Sequence, residues 1–449
     1  MAMAPPQASD GMVRAGDVDI FKVELHSSQH NSPYDLSLVW TNIAIFEDIE
    51  KNYIAGELTL TDTQNIIMDA PIIGGEKITI EFKTRSAVTT HVTVGQVVGI
   101  PSHLGVRQGL QLYVLKFISA EFVRNQNLKF SKAYNKMLIS DMVVDIYAQY
   151  IQPINNKPII VIPTVYIDSK VVPTFSPFRA INWLARWAQA PNYRLGASYV
   201  FFETQHGYYF GPIEGLVDEE INQQPAVVYS TQIVHGQEEA SKNIARGFYN
   251  ITDISIQFPD HLEKITEGMY AAKLLSHDLV TRTCSTTTLN YFDSFLETKH
   301  LNTALTEDTT LHSHHILGEY ADVKIILNAD HSDAFGGGVG SGRSSTILVR
   351  NSQMNQYNAI QLEISVPGDS DRTVGEMIDL RLPSYGTSTL EGREGEQDKY
   401  LSGRYLIGSL RHNISRSDQS ARAEYALKLG VIKDTYKTPL PEQQVVHWR

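Results

Sequence analysis

Hydrophobic and polar residues alternate in short stretches along the first 125 residues of the chain. An alternation with a period of two is typical of β-strands that bury one face and expose the other. Turn-forming residues separate these stretches, and their number, about six, suits a small antiparallel barrel or sandwich. The predicted strands are DIFKVELHS (19–27), LSLVWTNIAIFEDI (36–49), GELTLTD (56–62), EKITIEFKT (76–84), HVTVGQVVGI (91–100) and LQLYVLKFISAEFV (110–123).

Beyond residue 125 the hydrophobic residues follow a helical spacing instead. The clearest case is SPFRAINWLARWAQAP (176–191), in which Ser176 fits the cap and Pro177 fits the first helical position. Pro191 predicts the end of this helix. The stripe that should face the core consists of Phe178, Ile181, Leu184, Ala185 and Ala188.

Two further elements are predicted in the same region. SDMVVDIYAQYI (140–151) predicts a helix capped by Ser140 or Asp141. SYVFFETQHGYYFGPI (198–213) predicts a hairpin that turns at His206-Gly207. Together with the helix above, these elements define a mixed α/β domain. The core positions of the helix at 140–151 are Met142, Val143, Ile146, Tyr147 and Tyr150.

The β-type alternation resumes near residue 251 and is strong again beyond residue 358. A polar, loop-rich insertion interrupts it, and STILVR (345–350) at the end of that insertion looks extended. The predicted organisation is a flexible N-terminal arm (1–18), a first β domain (19–125), the mixed α/β domain (126–239), a second β domain (240–293 and 351–434), the loop-rich insertion (294–350) and a C-terminal tail (435–449).

The two β regions share an order of features. In the first, the strand GELTLTD is followed by a loop, the pair Gly75-Glu76 and an alternating strand. The second repeats this order with EISV (363–366), a loop and Gly375-Glu376. Two copies of one β fold is the interpretation that this order favours, and chance is the alternative because the identity is low. Each region also contains a ten-residue strand that opens on tyrosine, Tyr113–Phe122 and Tyr405–Ile414.

Composition excludes several classes of site and of protein. With Cys284 as its single cysteine, the chain forms no internal disulfide and no multi-thiolate metal site. No run approaches the roughly 20 apolar residues that span a bilayer, and the N-terminus lacks the apolar segment of a secretory signal. The net charge of −12 argues against a protein that grips nucleic acid by its phosphates.

Several groups of residues could carry chemistry, and none forms a complete site. GGVGSGRS (337–344) approaches a phosphate-binding loop, but Arg343 stands where the lysine belongs and no helix is predicted after it. The histidines lack the partners of a metal site, the paired acids lie in polar loops, and the tryptophans have a core spacing. The sequence therefore predicts no catalytic, cofactor-binding or metal-binding residue. The groups are His26 and His30, His312, His314 and His315, Asp218–Glu220, Glu391–Glu396, and Trp183 and Trp187.

Three segments resemble the baseplate hub protein of contractile-tailed bacteriophages, a family related to the hub region of type VI secretion spike proteins. Phe46–Thr84 is similar to the family's first tube-like barrel. Ser176–Phe210 is similar to its intervening α/β domain, in which an FFET strand leads into a glycine turn. Tyr400–Ile414 (YLSGRYLIGSLRHNI) is similar to the strand that ends the second barrel. The resemblance covers most of the chain except 294–350.

This resemblance implies a mainly β protein with an α+β insert, in which two tube-like antiparallel β-barrel domains flank a mixed α/β domain. It implies a homotrimer whose six similar barrels adapt a sixfold tail tube to a threefold central spike. The implied partners are further copies of the chain, the tail tube protein, a spike protein, and wedge or other baseplate proteins. DNA would pass through the lumen without specific binding, helped by acidic residues there. No membrane, cofactor or enzymatic activity is implied.

The chain stops soon after LKLGVI (427–432), so the spike and any lysozyme activity are expected on a separate partner. The expected location is the tail baseplate of the virion, after assembly in the host cytoplasm. Two alternatives of another class stay open. One is a tail-associated cell-wall hydrolase with its catalytic site in residues 126–225, and the other is a carbohydrate-binding protein that uses tryptophan and tyrosine surfaces.

Overall fold

A computed structural model describes most of the chain. The residues it describes are 15–27, 32–63, 66, 72–84, 87–107, 109–191, 196–218, 226–231, 247, 249–257, 260–278, 282–303, 310–311, 315–330, 344–384, 397–416 and 423–437.

The first β region contains all six predicted strands, with shifted ends and one short addition. The strand predicted to end at residue 100 continues to Arg107, because it forms a long hairpin with the strand that follows. The strands are β1 Val18–His26, β2 Tyr34–Asp35, β3 Trp40–Asp48, β4 Ala55–Asp62, β5 Lys77–Thr84, β6 His91–Arg107 and β7 Leu110–Ser119, and helix α1 spans Ala120–Asn127.

The middle of the chain is mixed α/β, with its own hydrophobic cluster. Its elements are β8 Phe130–Leu138, α2 Ile139–Ile146 with a π-helical turn Tyr147–Ile151, β9 Ile159–Val161, β10 Ile167–Phe175, α3 Pro177–Ala185, β11 Tyr199–Thr204, β12 Gly207–Pro212 and α4 Ile213–Val217. The predicted hairpin is confirmed as β11 and β12, which pair from Tyr199 opposite Pro212 to Thr204 opposite Gly207. β12 also pairs in parallel with β9, and β8 pairs with β10.

The described part of the remaining chain returns to β structure with three further helices. Its elements are β13 Val227–Ser230, β14 Asp253–Gln257, α5 His261–Thr266, β15 Ala271–Asp278, β16 Thr283–Asn290, α6 Tyr291–Ser294, β17 Thr310–Leu311, β18 His315–Ile316, β19 Ile325–Asp330, α7 Ser344–Tyr357, β20 Ile360–Pro367, β21 Met377–Arg381, β22 Gly403–Arg416 and β23 Ala423–Lys433. Strands β16, β15 and β19 form a separate three-stranded sheet.

One thirteen-stranded sheet runs through both ends of the chain. Its main order is β14-β20-β23-β22-β3-β4-β7-β6-β5-β1-β2, with β21 beside β22 and β13 beside β21. The prediction of a mainly β chain is confirmed. Both β regions contribute to this one sheet, and the described strands form no closed barrel, so the arrangement of two barrels around an α/β domain stays a prediction.

The predicted helices lie where expected, but their caps differ from the prediction, and α3 ends at Ala185 instead of continuing to Pro191. Met142 and Val143 are fully buried, as the helical spacing requires. However, α2 begins one residue before Ser140, and the Ser140 N–H donates to Thr164 Oγ1 at 3.1 Å. In α3 the Ser176 side chain makes no capping bond. The oxygen that accepts from the Phe178 N–H, at 2.8 Å, comes instead from Asn125.

The expectation that residues 345–350 are extended is wrong, because they form the first half of α7. A β-branched run favours a strand, but packing decides between the two states. Leu348 is fully buried against Ala272 and Leu274 of the three-stranded sheet. A helix therefore does follow the glycine-rich GGVGSGRS segment. Residues 337–343 of that segment lie outside the described residues.

Candidate assembly surface

The two ends of the chain build the same six-stranded arrangement. In the first, the order is β3-β4-β7-β6-β5-β1, and in the second it is β14-β20-β23-β22-β21-β13. Neighbouring strands are antiparallel at every equivalent position except the last, where β1 is antiparallel to β5 but β13 is parallel to β21. We call these arrangements the first module and the second module.

The ladders match residue by residue as well as strand by strand. β4 pairs with β7 in the register that β20 keeps with β23, so that Leu58 and Ile364 occupy equivalent, buried positions. By the same comparison, Ile43 is equivalent to Ile254, and Ile45 is equivalent to Ile256. The aligned segments are ELTL (57–60) with EISV (363–366), NIAI (42–45) with DISI (253–256), and KITI (77–80) with MIDL (377–380).

The two Gly-Glu pairs form the same turn. Gly75 has φ +95° and Gly375 has φ +85°, a left-handed conformation that favours glycine. The Gly75 N–H donates to the Val97 carbonyl at 2.8 Å, and the Val97 N–H donates back to the Glu76 carbonyl at 2.8 Å. Gly375 and Glu376 exchange the corresponding bonds with Ile407, both at 2.9 Å. The sequence signal therefore marks a backbone turn that both modules require.

A shared irregularity follows each turn. The β6–β7 ladder shifts register between Val97 and Gly99, and the β22–β23 ladder shifts between Ile407 and Ser409. Both shifts come directly after the residue that bonds the Gly-Glu turn. β-Bulges are specific features that bend a strand and do not arise at random. Their coincidence argues for duplication and against the alternative of chance similarity.

One feature of the predicted repeat was paired wrongly. The strand that contains Tyr113 is β7, and its equivalent in the second module is β23. The strand that contains Tyr405 is β22, and its equivalent is β6. Both are long strands with a tyrosine near the start, and this pattern cannot distinguish two neighbouring strands of one meander.

An antiparallel ladder between β3 and β22 joins the modules. It runs from Asn42 opposite Ser415 to Asp48 opposite Ser409. At one end, the Arg416 guanidinium stacks over the Trp40 ring at 4.5 Å. Ile43 and Ile45 of β3 are completely buried as a result.

A buried acid also links the modules. The Glu47 carboxylate on β3 accepts a 2.6 Å bond from the Thr373 hydroxyl and a 3.3 Å bond from the Val374 N–H, both in the second module. Burial raises the pKa of Glu47 to about 7, although these bonds act in the opposite direction. The contact is therefore sensitive to pH near neutrality.

Histidines from both modules meet in an aromatic cluster. The rings of His91 on β6 and His412 on β22 lie 4.9 Å apart and pack with Phe82 and Tyr425. The Tyr425 hydroxyl and His412 Nδ1 are 2.6 Å apart. Burial lowers the pKa of His91 to about 4 and lowers that of His412 well below its usual value. Both imidazoles are thus neutral core groups at neutral pH.

The α/β region is anchored to the first module by hydrogen bonds to a buried carboxylate. The Glu203 carboxylate on β11 accepts bonds from the Ser119 hydroxyl at 2.6 Å and the Ile54 N–H at 3.1 Å. Lys157 forms an ion pair with the same carboxylate, and its ammonium lies 3.7 Å from Glu121. Burial raises the pKa of Glu203 even though Lys157 acts to lower it.

A groove crosses the sheet where the modules join, on the face opposite the core. Glu363 and Lys428 form a 3.3 Å ion pair there. The Arg411 guanidinium lies over Phe46, 5.2 Å from the ring centre. Charges of both signs line this groove, including Glu57.

The candidate chemical groups of the sequence do not converge on a site. His26 pairs with Glu24 at 3.3 Å, and Asp218 lies 3.8 Å from Lys299. Trp183 and Trp187 pack against the α/β core as predicted. Within the described ranges, no three His, Cys, Asp or Glu side chains are grouped for a metal, and no helix is long and apolar enough to span a membrane. The positions that fall outside those ranges are His30, His312, His314, Glu219, Glu220 and Glu391–Glu396.

The fold is shared with solved phage tail proteins. The tail protein from Neisseria meningitidis MC58 matches with a TM-score of 0.53 and 10% identity, over 92% of this chain and 96% of that one. The 43 kDa tail protein of prophage MuSo2 from Shewanella oneidensis matches with a TM-score of 0.51 and 10% identity, over 92% and 98%. No protein-family model matches the sequence, and no curated protein sequence matches it.

Proposed function

We propose that the chain is the structural baseplate hub of a contractile phage tail. Three copies would form a ring in which the two modules of each chain act as tube-like barrel domains on either side of the α/β region. Six similar modules would face the sixfold tail tube, and the true threefold symmetry would face the central spike. The observation that carries this proposal is the duplicated module, found within a fold that phage tail proteins share.

The proposed partners follow from this arrangement. They are two further copies of the chain, the tail tube protein, a separate spike protein, and wedge or other baseplate proteins. The site of action is the tail baseplate of the virion, after assembly in the host cytoplasm. DNA would pass through the lumen without specific binding. The groove at the module junction carries balanced charges and no continuous basic track. It would therefore not hold DNA by its phosphates, which favours such passage.

The mass of the native protein tests the proposal. Three chains of 50.3 kDa give a particle close to 150 kDa, which native mass spectrometry over a range of concentrations would detect. A chain that stays monomeric at every concentration, also with the tail tube and spike proteins present, would contradict the trimer.

A structural hub has no enzymatic role, so a digestion assay distinguishes a hub from a cell-wall hydrolase. Purified peptidoglycan incubated with the chain alone should release no soluble muropeptides. Release would favour a cell-wall hydrolase. Glycan-array binding in place of assembly would favour a carbohydrate-binding protein.

A further inference from the structure

We infer that residues 438–449, which follow the described end of the chain, bind the three-stranded sheet β16-β15-β19 of the same chain, with Trp448 in an apolar pocket beside it. We call these residues the C-terminal segment. The hub proposal is not needed for this contact, because both surfaces belong to one chain.

The two faces of the three-stranded sheet have different surroundings. On one face, Leu348 of α7 packs against Ala272 and Leu274. Side chains alternate along a strand, so the next residue of β15 and its neighbours on β19 point to the other face, which we call the open face. Its apolar residues are Leu275, Ile325 and Leu327, which are 37%, 49% and 78% exposed. Grouped apolar residues with this exposure mark a contact surface.

An apolar pocket of about 190 Å³ lies at one end of the open face. Ala271 lines this pocket and lies on the same face of β15 as Leu275, so the pocket and the open face are continuous. A benzene ring fits an apolar cavity of about 150 Å³, so the pocket has room for an aromatic side chain. The lining consists of Ile265, Tyr270, Ala271, Leu317, Tyr320 and Val323.

The C-terminal segment has the composition that suits this surface. VVHW (445–448) places two valines and a tryptophan within four residues. Aromatic side chains that fill a pocket supply much of the binding energy of a contact. In an extended segment Val446 and Trp448 point to the same side, so Trp448 in the pocket places Val446 over the open face.

The segment also begins close to the pocket. Asp434, just before it, is fixed by a 2.8 Å bond between its Oδ2 and His300 Nδ1. Three successive ring contacts, with centres 4.0, 5.7 and 6.1 Å apart, lead from His300 to Tyr270 in the pocket. An extended segment of 12 residues spans about 40 Å, which is longer than this row of rings. An attached segment also has a high effective concentration, which favours its own chain over a second copy.

The fluorescence of Trp448 tests the contact in the full chain. The difference between the emission of the wild type and that of Trp448→Phe isolates this side chain from the other three tryptophans. We expect a blue-shifted emission that acrylamide quenches poorly. Leu327→Asp places a charge on the open face and should raise the quenching of Trp448 severalfold. The matched control is Phe21→Asp on β1, where another exposed apolar strand residue is replaced and the quenching should stay at the wild-type value.

Amide hydrogen exchange tests the same contact from the side of the sheet. Trp448→Ala leaves every described contact in place, so it tests the contact even if Leu327→Asp disturbs the sheet. Exchange at residues 325–329 should become faster by about tenfold or more, as expected when an anchoring aromatic side chain is truncated. Exchange in β1 should not change.

Three results would overturn the inference. They are a Trp448 that is fully quenched in the wild type, an equal response to Leu327→Asp and Phe21→Asp, and unchanged exchange at residues 325–329 in Trp448→Ala. Shielding of Trp448 that disappears on dilution would assign the segment to a second copy and would also overturn it. None of these results alters the native mass expected for three chains, so the hub proposal is tested separately.

Discussion

Strands β3 and β14 occupy the same place in two copies of one module, yet their surroundings differ. Both carry two isoleucines on the core face and pair with an equivalent neighbour. In β3 these isoleucines are completely buried, because the second module lies against that strand. In β14 they are half-buried, because no described strand lies beyond it.

This difference separates what the module does alone from what its neighbour adds. The strand order, the Gly-Glu turn and the bulge are present in both copies, so they belong to the module itself. The burial of β3 and the bonds of Glu47 occur where one module meets the next, so they belong to the contact between modules. Substitutions at equivalent positions can measure the two contributions separately.

The largest expected difference in unfolding free energy concerns two equivalent positions, Ser119 at the end of β7 and Lys433 at the end of β23, and the charged groups that contact them. Lys157→Met leaves the buried Glu203 carboxylate unpaired beside Ser119, and breaking a buried pair in this way costs about 3–5 kcal/mol. The equivalent of Ser119 is Lys433, which donates to two backbone carbonyls and whose pKa burial lowers to about 7. Lys433→Met at pH 8 should cost about 1–3 kcal/mol, because little charge is lost. Denaturant unfolding measures both, and equal costs would contradict the difference.

The next difference compares the equivalent isoleucines directly. Ile45→Ala should lower the free energy of unfolding by about 2–5 kcal/mol, because it leaves a cavity in a closed core. Ile256→Ala should cost about 1 kcal/mol in the isolated chain, because its side chain is only partly buried. Urea titration of the two variants provides the measurement. A cost at Ile256 as large as that at Ile45 would show that β14 is covered within a single chain.

A pH titration isolates the contact made by Glu47. The pKa of this carboxyl is near 7 in the folded protein and lower in the unfolded chain, so its favourable contribution is complete below about 4.5 and is lost as the pH rises through about 7. Glu47→Gln removes this loss. Its stability relative to the wild type should rise by on the order of 2 kcal/mol between pH 5 and pH 8. The half-exposed Glu363, substituted by Gln, serves as the surface control, and parallel curves for wild type and Glu47→Gln would contradict the prediction.

The smallest effect compares the two turns. Gly75→Ala forces an alanine into a left-handed conformation and should cost about 1 kcal/mol, since no atom lies within 4 Å of the added Cβ. Gly375→Ala meets the same strain and places its Cβ 3.2 Å from the Phe202 ring, so it should cost slightly more. Thermal unfolding resolves differences of this size. A stabilising effect at either position would contradict the shared turn.

Periodicity predicted most strands and helices of this chain because each buries one face. The alternation around Leu58 and Ile364 is a direct record of that burial. The Gly-Glu pairs were detectable because a left-handed turn restricts the residue type at Gly75 and Gly375. These local constraints leave a trace in the sequence.

The assembly surface could not be predicted in the same way. The register of β22 on β3 joins residues more than 350 positions apart, and no local pattern specifies it. The pairing of Tyr113 with Tyr405 failed for a related reason, since neighbouring strands of a meander have similar patterns. The helix at 345–350 was missed because contacts with Ala272 and Leu274 outweigh its strand-like composition.

End-on cryo-electron microscopy of the assembled hub shows how the β modules are arranged around the ring. We expect a closed ring of six similar β modules with true threefold symmetry, to which each chain contributes both of its modules. A particle in which the two modules of each chain occupy unrelated positions, or in which only one of them contributes to the ring, would contradict it.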